Sequence, residues 1–503
     1  MLVWLGGPFG DCCMGPPDGR KNLLNTFDEG NDPTTPIRNL ARWTLSGDPL
    51  LSDPLVARQA RLLIADSIAC AVAALDVSTP GYVAAMLEEM GGTPQCTLFG
   101  RARKSSILSA VLLNGALVRS LDYNDVQFFL KEGELSVAGH CSDNIPVALA
   151  AAERFGSTGT DMITALAMGY ELFRRLRQLM PFSSAWDGTS VSGLVAAAIY
   201  GRLAGLDPAR QANALALGAA RCATPSVVRW GRLSGVKNLA NSMIAQSGVQ
   251  GALLAERGVT GPLEVFDHRG GLHQVFDPSL GLERLWGPIE QPPFIMTSNI
   301  KPYACIGTAQ TAIKAALDLH PRVSSRVNAI SRIEVVMADL PMIRKQQGEI
   351  ERRFPKTREA ADHSFTFLPA VAMVEGAMTD HQFRDRRWEA PDMRRLIELT
   401  ELRVERGFAE RAPGSMPSRV RVTFDDGSTE VQECLYDPGH SFPERGLDEA
   451  VVVEKFMAIA IRRMPEERAH RLVRSILSIE TGPVEAIMAP LREIGSANGD
   501  KPR

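Results

Sequence analysis

The sequence predicts a mainly α protein: a large all-helical domain with a smaller α+β domain attached. Three observations carry that expectation. From residue 36 to 285, apolar residues recur at helical spacing in segment after segment. Near residue 330 the pattern switches to strand-like alternation, and near 447 it switches back. The chain has 503 residues, too many for one ordinary core. The expected division is a loose arm over residues 1–35, rich in Gly, Pro, Asp and Asn, a helical domain over 36–285, an α+β domain over 290–444, and helices over 445–503 that return to pack on the first domain.

The elements follow in order. Residues 55–75 (LVARQARLLIADSIACAVAAL) and 107–121 (ILSAVLLNGALVRSL) carry apolar side chains at helical spacing, and residues 145–154 and 161–176 do the same. Asp207 before Pro208 reads as an N-cap with proline at the first helical position, opening a helix through Ala220. Residues 238–256 form another helix, which Gly258 stops. These segments are rich in Ala and Gly, and small residues let helices pack closely. Residues 332–337 (RIEVVM) alternate, and so do 419–424 (RVRVTF), which run through Asp425-Asp426-Gly427 into 430–434 as a β-hairpin. Residues 308–319 and 364–375 are helical, and the tail is helical again over 447–464.

Composition excludes several classes. With 45% hydrophobic and 22% charged residues and a net charge of −3, the chain can bury a core and carries no electrostatic footprint for nucleic acid. No apolar run reaches the ~20 residues of a membrane span. The N-terminus lacks the basic region of a secretory signal. The eight cysteines form no CxxC pair and match no zinc or iron–sulfur spacing. The expectation is a metal-free protein of a reducing, cytoplasmic compartment.

The richest polar constellation is residues 121–146, LDYNDVQFFLKEGELSVAGHCSDNIP. It places Asp122, Asn124, Asp125, His140, Ser142, Asp143 and Asn144 in a loop between two buried helices. Loops on a rigid scaffold concentrate catalytic groups. A carboxylate that accepts from one ring nitrogen of His140 would set its tautomer and raise the basicity of the other nitrogen, as a general acid–base group needs. The same spacing also fits a plain helix–loop–helix with Asx turns and an N-cap at Ser142 or Asp143.

Two lysines stand out next. Lys237 opens the 238–256 helix, and Lys301 precedes the helix at Ile306. A lysine at a helix start opposes the dipole unless an anion arrives, which suits a substrate carboxylate. A solvated surface lysine is the other reading. The glycines of residues 269–272 have no strand–helix context for phosphate binding. His363-Ser364 reads as a helix cap, and residues 186–190 as the cap of the helix that follows.

Several blocks together resemble the MmgE/PrpD family: LDYND and GHCSDN, GVKNLANSMIAQSGVQGALLAERGVTGP, NIKPYACIGTAQTAIKAAL, LLIADSIACAVAAL and ADHSFTFLPAVAMVEGAM. The resemblance covers residues 36–480. It implies a helical domain plus an α+β lid, a homodimer, no cofactor, and an active site between the domains. It implies Asp122, His140, Lys237 and Lys301 as catalytic residues. Asp125, Ser142, Asp143, Asn144 and Tyr303 are the expected substrate contacts. The family contains 2-methylcitrate dehydratases, cis-aconitate decarboxylases and an iminodisuccinate epimerase. The chain departs from the family pattern at Val126, Cys141 and Ile306, and lacks a histidine near Asp187. Its GHCSDN block is similar to the dehydratase branch. The implied reaction is proton transfer next to a carboxylate of a small polycarboxylate, with a 2-methylcitrate dehydratase-like hydro-lyase first. Decarboxylation or epimerisation on the same scaffold, and a non-catalytic binding descendant, are the alternatives.

Overall fold

A computed structural model describes residues 35–46, 53–131, 134–180, 185–221, 223–229, 234–277 and 280–494. The expected N-terminal arm lies outside the described residues, apart from Thr35. The protein is mainly α with a smaller α+β portion. Among the described residues no single helix is long and apolar enough to cross a membrane.

Local chemistry sets the helix ends. Asp53 accepts from the Leu55 N–H at 2.8 Å and Pro54 takes the first position of the Pro54–Ala73 helix. Asp207 and Pro208 repeat the device, with Asp207 accepting from Arg210 N–H at 2.8 Å. Thr158 and Asp161 cap each other reciprocally at the start of Gly159–Leu179. Three helices, Ser192–Leu203, Pro208–Ala219 and Ala240–Glu256, meet through Gly193, Gly218 and Gly248. A Cβ on Gly248 would lie 2.1 Å from the Gly193 carbonyl oxygen, so any side chain there would force the helices apart.

Two apolar cores result. The first gathers buried residues from Ile37 to Ile300 and takes in Val452, Phe456, Leu472 and Ile487 from the C-terminal helices. The second runs from Ala304 to Cys434 and also takes in Val126, Phe128 and Leu135. The strands are β1 (Gln127–Lys131), β2 (Glu134–Gly139), β3 (Ile330–Ala338), β4 (Thr400–Glu405), β5 (Ser418–Phe424) and β6 (Thr429–Cys434). The second core lies on a four-stranded sheet of order β4-β3-β5-β6, with β3 and β4 parallel and the other pairs antiparallel. Alternation puts Val420, Val422 and Phe424 of β5 inward, where the Gln310–Val323 helix covers the sheet.

Three sequence expectations need correction. Residues 121–146 are not a loop throughout, because β1 and β2 pair as an antiparallel hairpin. Phe128 and Leu135 anchor that hairpin in the second core, although it lies within residues 36–285. Next, the helix expected from 364 begins at Phe367, and Ser364 Oγ accepts the Phe367 N–H at 3.1 Å. Finally, neither lysine sits on the first turn of an α-helix. Lys237 lies in a 3₁₀ turn, Gly235–Asn238, and Lys301 lies in extended chain well before the Gln310–Val323 helix. What holds Lys301 is a short antiparallel bridge in which Val126 and Asn299 exchange hydrogen bonds of 2.8 and 3.0 Å. That bridge lays the Asp122 segment beside the Lys301 segment.

Candidate active site

The Ile107–Arg119 helix ends just before Asp122, whose φ of 50° lies in the left-handed region. Asp and Asn tolerate that region better than most residues, but a non-glycine there is uncommon. The conformation turns the carboxylate inward. Lys301 Nζ donates to the Asp122 carbonyl oxygen at 2.6 Å and lies 3.1 Å from its carboxylate. Arg119 approaches the same carboxylate at 3.3 Å, His363 Nε2 at 3.6 Å, His140 Nε2 at 3.9 Å and Lys237 Nζ at 4.0 Å. Burial pushes the Asp122 carboxyl up, but Lys301, Lys237 and Arg119 together outweigh it and hold the group well below the usual carboxylate range. The centre of the cluster is therefore an ionised aspartate that faces three basic side chains, Lys301, Lys237 and Arg119, and two imidazoles. The solvated-surface reading of the lysines fails, since Lys237 is 3% and Lys301 1% exposed.

Both histidines are neutral. His140 follows β2, and its Nδ1 lies against the backbone carbonyl of Asp125. That nitrogen carries the proton, because a carbonyl can only accept, so Nε2 faces the cluster as a bare lone pair. Burial, then the charges of Arg119 and Lys301, hold its pKa well below the usual histidine value. His363 repeats the arrangement, with Nδ1 against the Asp362 carboxylate and Nε2 3.4 Å from Lys237 Nζ. Burial and the neighbouring Lys237 bring His363 down to about 4. Burial also lowers the Lys237 pKa, against the pull of Asp362 and Asp122. The expectation that Asp122 orients His140 is corrected here. The Asp125 carbonyl anchors the ring, and Asp122 at 3.9 Å acts on it only through space.

A cavity of about 540 Å³ opens over this cluster, with Asp122, His140, Lys237, Lys301 and His363 in its wall. Val126 and Ile306, the departures from the family pattern, supply apolar wall, while Cys141 is buried behind it beside Gln127. Arg229 also faces the cavity. It is held by Asp187 at 3.1 Å and donates to the Lys237 carbonyl at 2.9 Å, which fastens the lysine turn. Asp187 does cap the following turn, accepting the Thr189 N–H at 3.0 Å.

The expected substrate contacts divide. Asp143 lines the cavity, takes a 3.0 Å hydrogen bond from Asn124, and is pushed up to about 6 by burial. Asp125, Ser142 and Asn144 do not line it. The Asp125 carboxylate accepts from Ser142 Oγ at 2.5 Å and Tyr170 Oη at 3.0 Å, and Asn144 donates to the Cys141 carbonyl at 3.3 Å. These contacts hold the chain, and Asn144 Oδ1 is buried without a hydrogen-bond partner. Tyr303 borders a different cavity, of about 490 Å³. Its backbone, two residues past Lys301, turns the side chain away from the cluster.

His363, Asp362, Arg119 and Arg229 were missed as site residues. A signal existed for three of them. Arg119 is the one charged residue in the helix ILSAVLLNGALVR, and it is buried there. Asp362-His363 is an adjacent acid–imidazole pair before an apolar helix. Among the described residues no group of three His, Cys, Asp or Glu converges as a metal ion would require.

Residues 38–284 match the MmgE/PrpD N-terminal domain, and residues 303–481 match the MmgE/PrpD C-terminal domain. The cis-aconitate decarboxylase-like protein oryM of Aspergillus oryzae is 26% identical over 470 residues, covering 88% of this chain and 94% of its own. Human cis-aconitate decarboxylase is 25% identical over 137 residues, 26% of this chain and 27% of its own. The mouse cis-aconitate decarboxylase is 22% identical over 181 residues, 35% of this chain and 34% of its own. Both halves of the family pattern occur in order along most of the sequence, and the chain belongs to the MmgE/PrpD family.

Proposed function

We propose that the protein is a lyase that acts on a small di- or tricarboxylate by proton transfer at a carbon next to a carboxylate, without a cofactor. The single observation that carries this reading is a neutral His140, its bare Nε2 turned toward a cavity whose wall holds Lys237, Lys301 and Arg119. Removing a proton beside a carboxylate moves charge onto the carboxylate oxygens, so the transition state needs cations already in place. His140 takes the proton, and Lys237 and Lys301 hold the substrate carboxylates and the developing charge. Asp122 places the lysines, with its carboxylate 3.1 Å from Lys301 Nζ and 4.0 Å from Lys237 Nζ. In the hydro-lyase branch Lys237, whose pKa burial lowers, gives the leaving hydroxyl its proton so that it departs as water, and neutral His363 lies 3.4 Å from Lys237 as an acceptor.

A base-form ring favours the branch that begins with proton removal, which is dehydration of a 2-methylcitrate-like substrate. The GHCSDN block supports the same branch. A second reading, decarboxylation of a cis-aconitate-like substrate, is supported by the names of the relatives. There the carbon must receive a proton, and Lys237, with its lowered pKa, is the group suited to deliver it. The reading includes a homodimer, checked by light scattering, and an α+β portion that acts as the lid over the cavity.

The test is proton NMR in deuterated water, on protein treated with chelator, against 2-methylcitrate, citrate and cis-aconitate. Exchange next to a carboxylate with loss of water supports the hydro-lyase. Release of carbon dioxide selects the decarboxylase. Binding without any exchange would leave a non-catalytic polycarboxylate binder and end the enzymatic reading, and activity that returns only with a divalent ion would end the cofactor-free one.

A further inference from the structure

Behind Asp122, on the side away from the substrate cavity, the chain is fastened by a buried lysine from the C-terminal segment. Lys455 belongs to the Glu449–Ala460 helix. Its Nζ pairs with Asp66 Oδ1 at 2.6 Å, donates to the Tyr123 carbonyl at 2.9 Å, and lies 3.7 Å from the centre of the Tyr123 ring. Asp66 is fully buried within the Pro54–Ala73 helix. Burial lowers the Lys455 pKa, but its neighbours, Asp66 first, outweigh burial and raise it, while burial pushes the Asp66 carboxyl up. Tyr123 then reaches forward, and its hydroxyl donates to the Pro302 carbonyl at 2.8 Å. Pro302 follows Lys301 directly. Lys455, itself held by Asp66 of a helix distant in sequence, therefore grips the carbonyl of the residue after Asp122, and the hydroxyl of that residue, Tyr123, buttons it to the carbonyl of the residue after Lys301.

We infer that Lys455 is a positioning residue for the active site: through Asp66 and Tyr123 it holds Asp122 in its left-handed backbone conformation and sets the Asp122–Lys301 spacing. The geometry gives the reason. A left-handed non-glycine residue persists only where its surroundings over-determine it. Here the two carbonyls in succession, Asp122 and Tyr123, are each taken by a buried ammonium from a different direction, Lys301 and Lys455. A buried ion pair adds little net stability compared with apolar packing. Its distinct contribution is direction, since a charge-assisted hydrogen bond fixes where the carbonyl points. Lys455 does not line the substrate cavity; it borders the second cavity, together with Tyr123 and Tyr303.

The catalytic consequence rests on the proposed function, whereas the positioning itself does not, and the two are measured separately. The first readout is nitrogen NMR of protein labelled at histidine, with the His140 and His363 rings assigned by substitution to glutamine. Both rings sense Asp122, and Asp122→Asn gives the reference displacement. Lys455→Met, folded by circular dichroism, is expected to move both ring signals in the direction that Asp122→Asn moves them. Unmoved signals in folded Lys455→Met overturn the inference. The second readout is kinetic. Displacement of a reacting group by an ångström can cost on the order of 10²-fold in rate, so kcat should fall at least about tenfold with KM changed less than about threefold. Lys455→Arg should restore part of the rate. In Lys455→Ala, propylammonium entering through the second cavity should restore activity, and the bulkier tetramethylammonium should not. Equal effects of the two ions, or none, count against the inference. Should the Lys455 variants fail to fold, Tyr123→Phe decides. It removes only the hydroxyl link to Pro302, and unchanged ring signals there overturn the inference too. A wild-type rate in Asp122→Asn would instead defeat the proposed mechanism, and the ring signals of Lys455→Met would still judge the positioning.

Discussion

Asp122 and Asp125 stand three residues apart and are equally buried, at 3% and 0% exposure, yet burial has opposite outcomes for them. Asp122 is met by Lys301, Lys237 and Arg119, and its carboxyl is held well below the usual range. Asp125 is met by the neutral donors Ser142 and Tyr170, and burial takes it up to about 7. The charge of the partners, rather than the depth of burial, decides which carboxylate is ionised. One aspartate therefore belongs to the charged lining of a cavity, and the other to the frame behind it. Asp125 still serves the cluster through its backbone, whose carbonyl accepts the hydrogen bond from His140 Nδ1.

The sharpest way to break this contrast is to remove chemistry from the Asp122 side alone. His140→Ala should lower kcat by roughly 10²–10⁴-fold, the worth of a positioned acid–base group, while leaving substrate binding largely intact. A folded variant with a near wild-type rate would send the proton-transfer role elsewhere, with His363 the first candidate. Lys301→Ala should cost about 3–5 kcal/mol of stability in urea unfolding, because it leaves a buried carboxylate short of its nearest charge. It should also weaken substrate binding, which Asp125→Asn should not.

Next comes pH. A carboxyl raised to about 7 in the folded state binds more protons than the unfolded chain between the unfolded value near 4 and 7. Stability from Asp125 is thus complete below about pH 4 and is lost as pH rises toward 7, at up to about 1.4 kcal/mol per pH unit. Asp122 has the opposite sign. Its contribution is present above about pH 4 and disappears as pH falls through its lowered folded value. Asp125→Asn should flatten the loss between pH 4 and 7 measured by urea unfolding, and a curve with the wild-type slope would refute the assignment. The smallest effect belongs to Tyr170→Phe. It removes one hydrogen bond to Asp125 and should cost about 0.5–1.5 kcal/mol with kcat unchanged.

Much of this was legible beforehand. Period-3.6 apolar spacing marked the helices, and Asp-Pro and Gly signals marked their ends. Asp122, His140, Lys237 and Lys301 were all singled out, and all lie within 4.0 Å of one carboxylate or belong to it. The hairpin of β1 and β2 escaped because its short alternation is broken by charged residues at its tip, and because the core that Phe128 and Leu135 join lies beyond residue 303. His363 was read as part of a helix cap, with Tyr303 and His363 as fallback proton carriers to His140. Its neighbour Ser364 does make that contact, so a correct local reading concealed a distant role.

By itself, the sequence determined the mainly α class, the alternating sheet and the polar segment where charge collects. Those depend on spacing within one stretch of chain, and periodicity records them directly. Which groups face one another was decided only by tertiary structure. Residues 237, 301 and 363 reach Asp122 from separate elements, and no local pattern encodes a contact across 100 or 200 residues. The protonation states follow from that meeting. Asp122 and Asp125 are the same side chain, and only the folded chain gives one of them cations and the other hydroxyls.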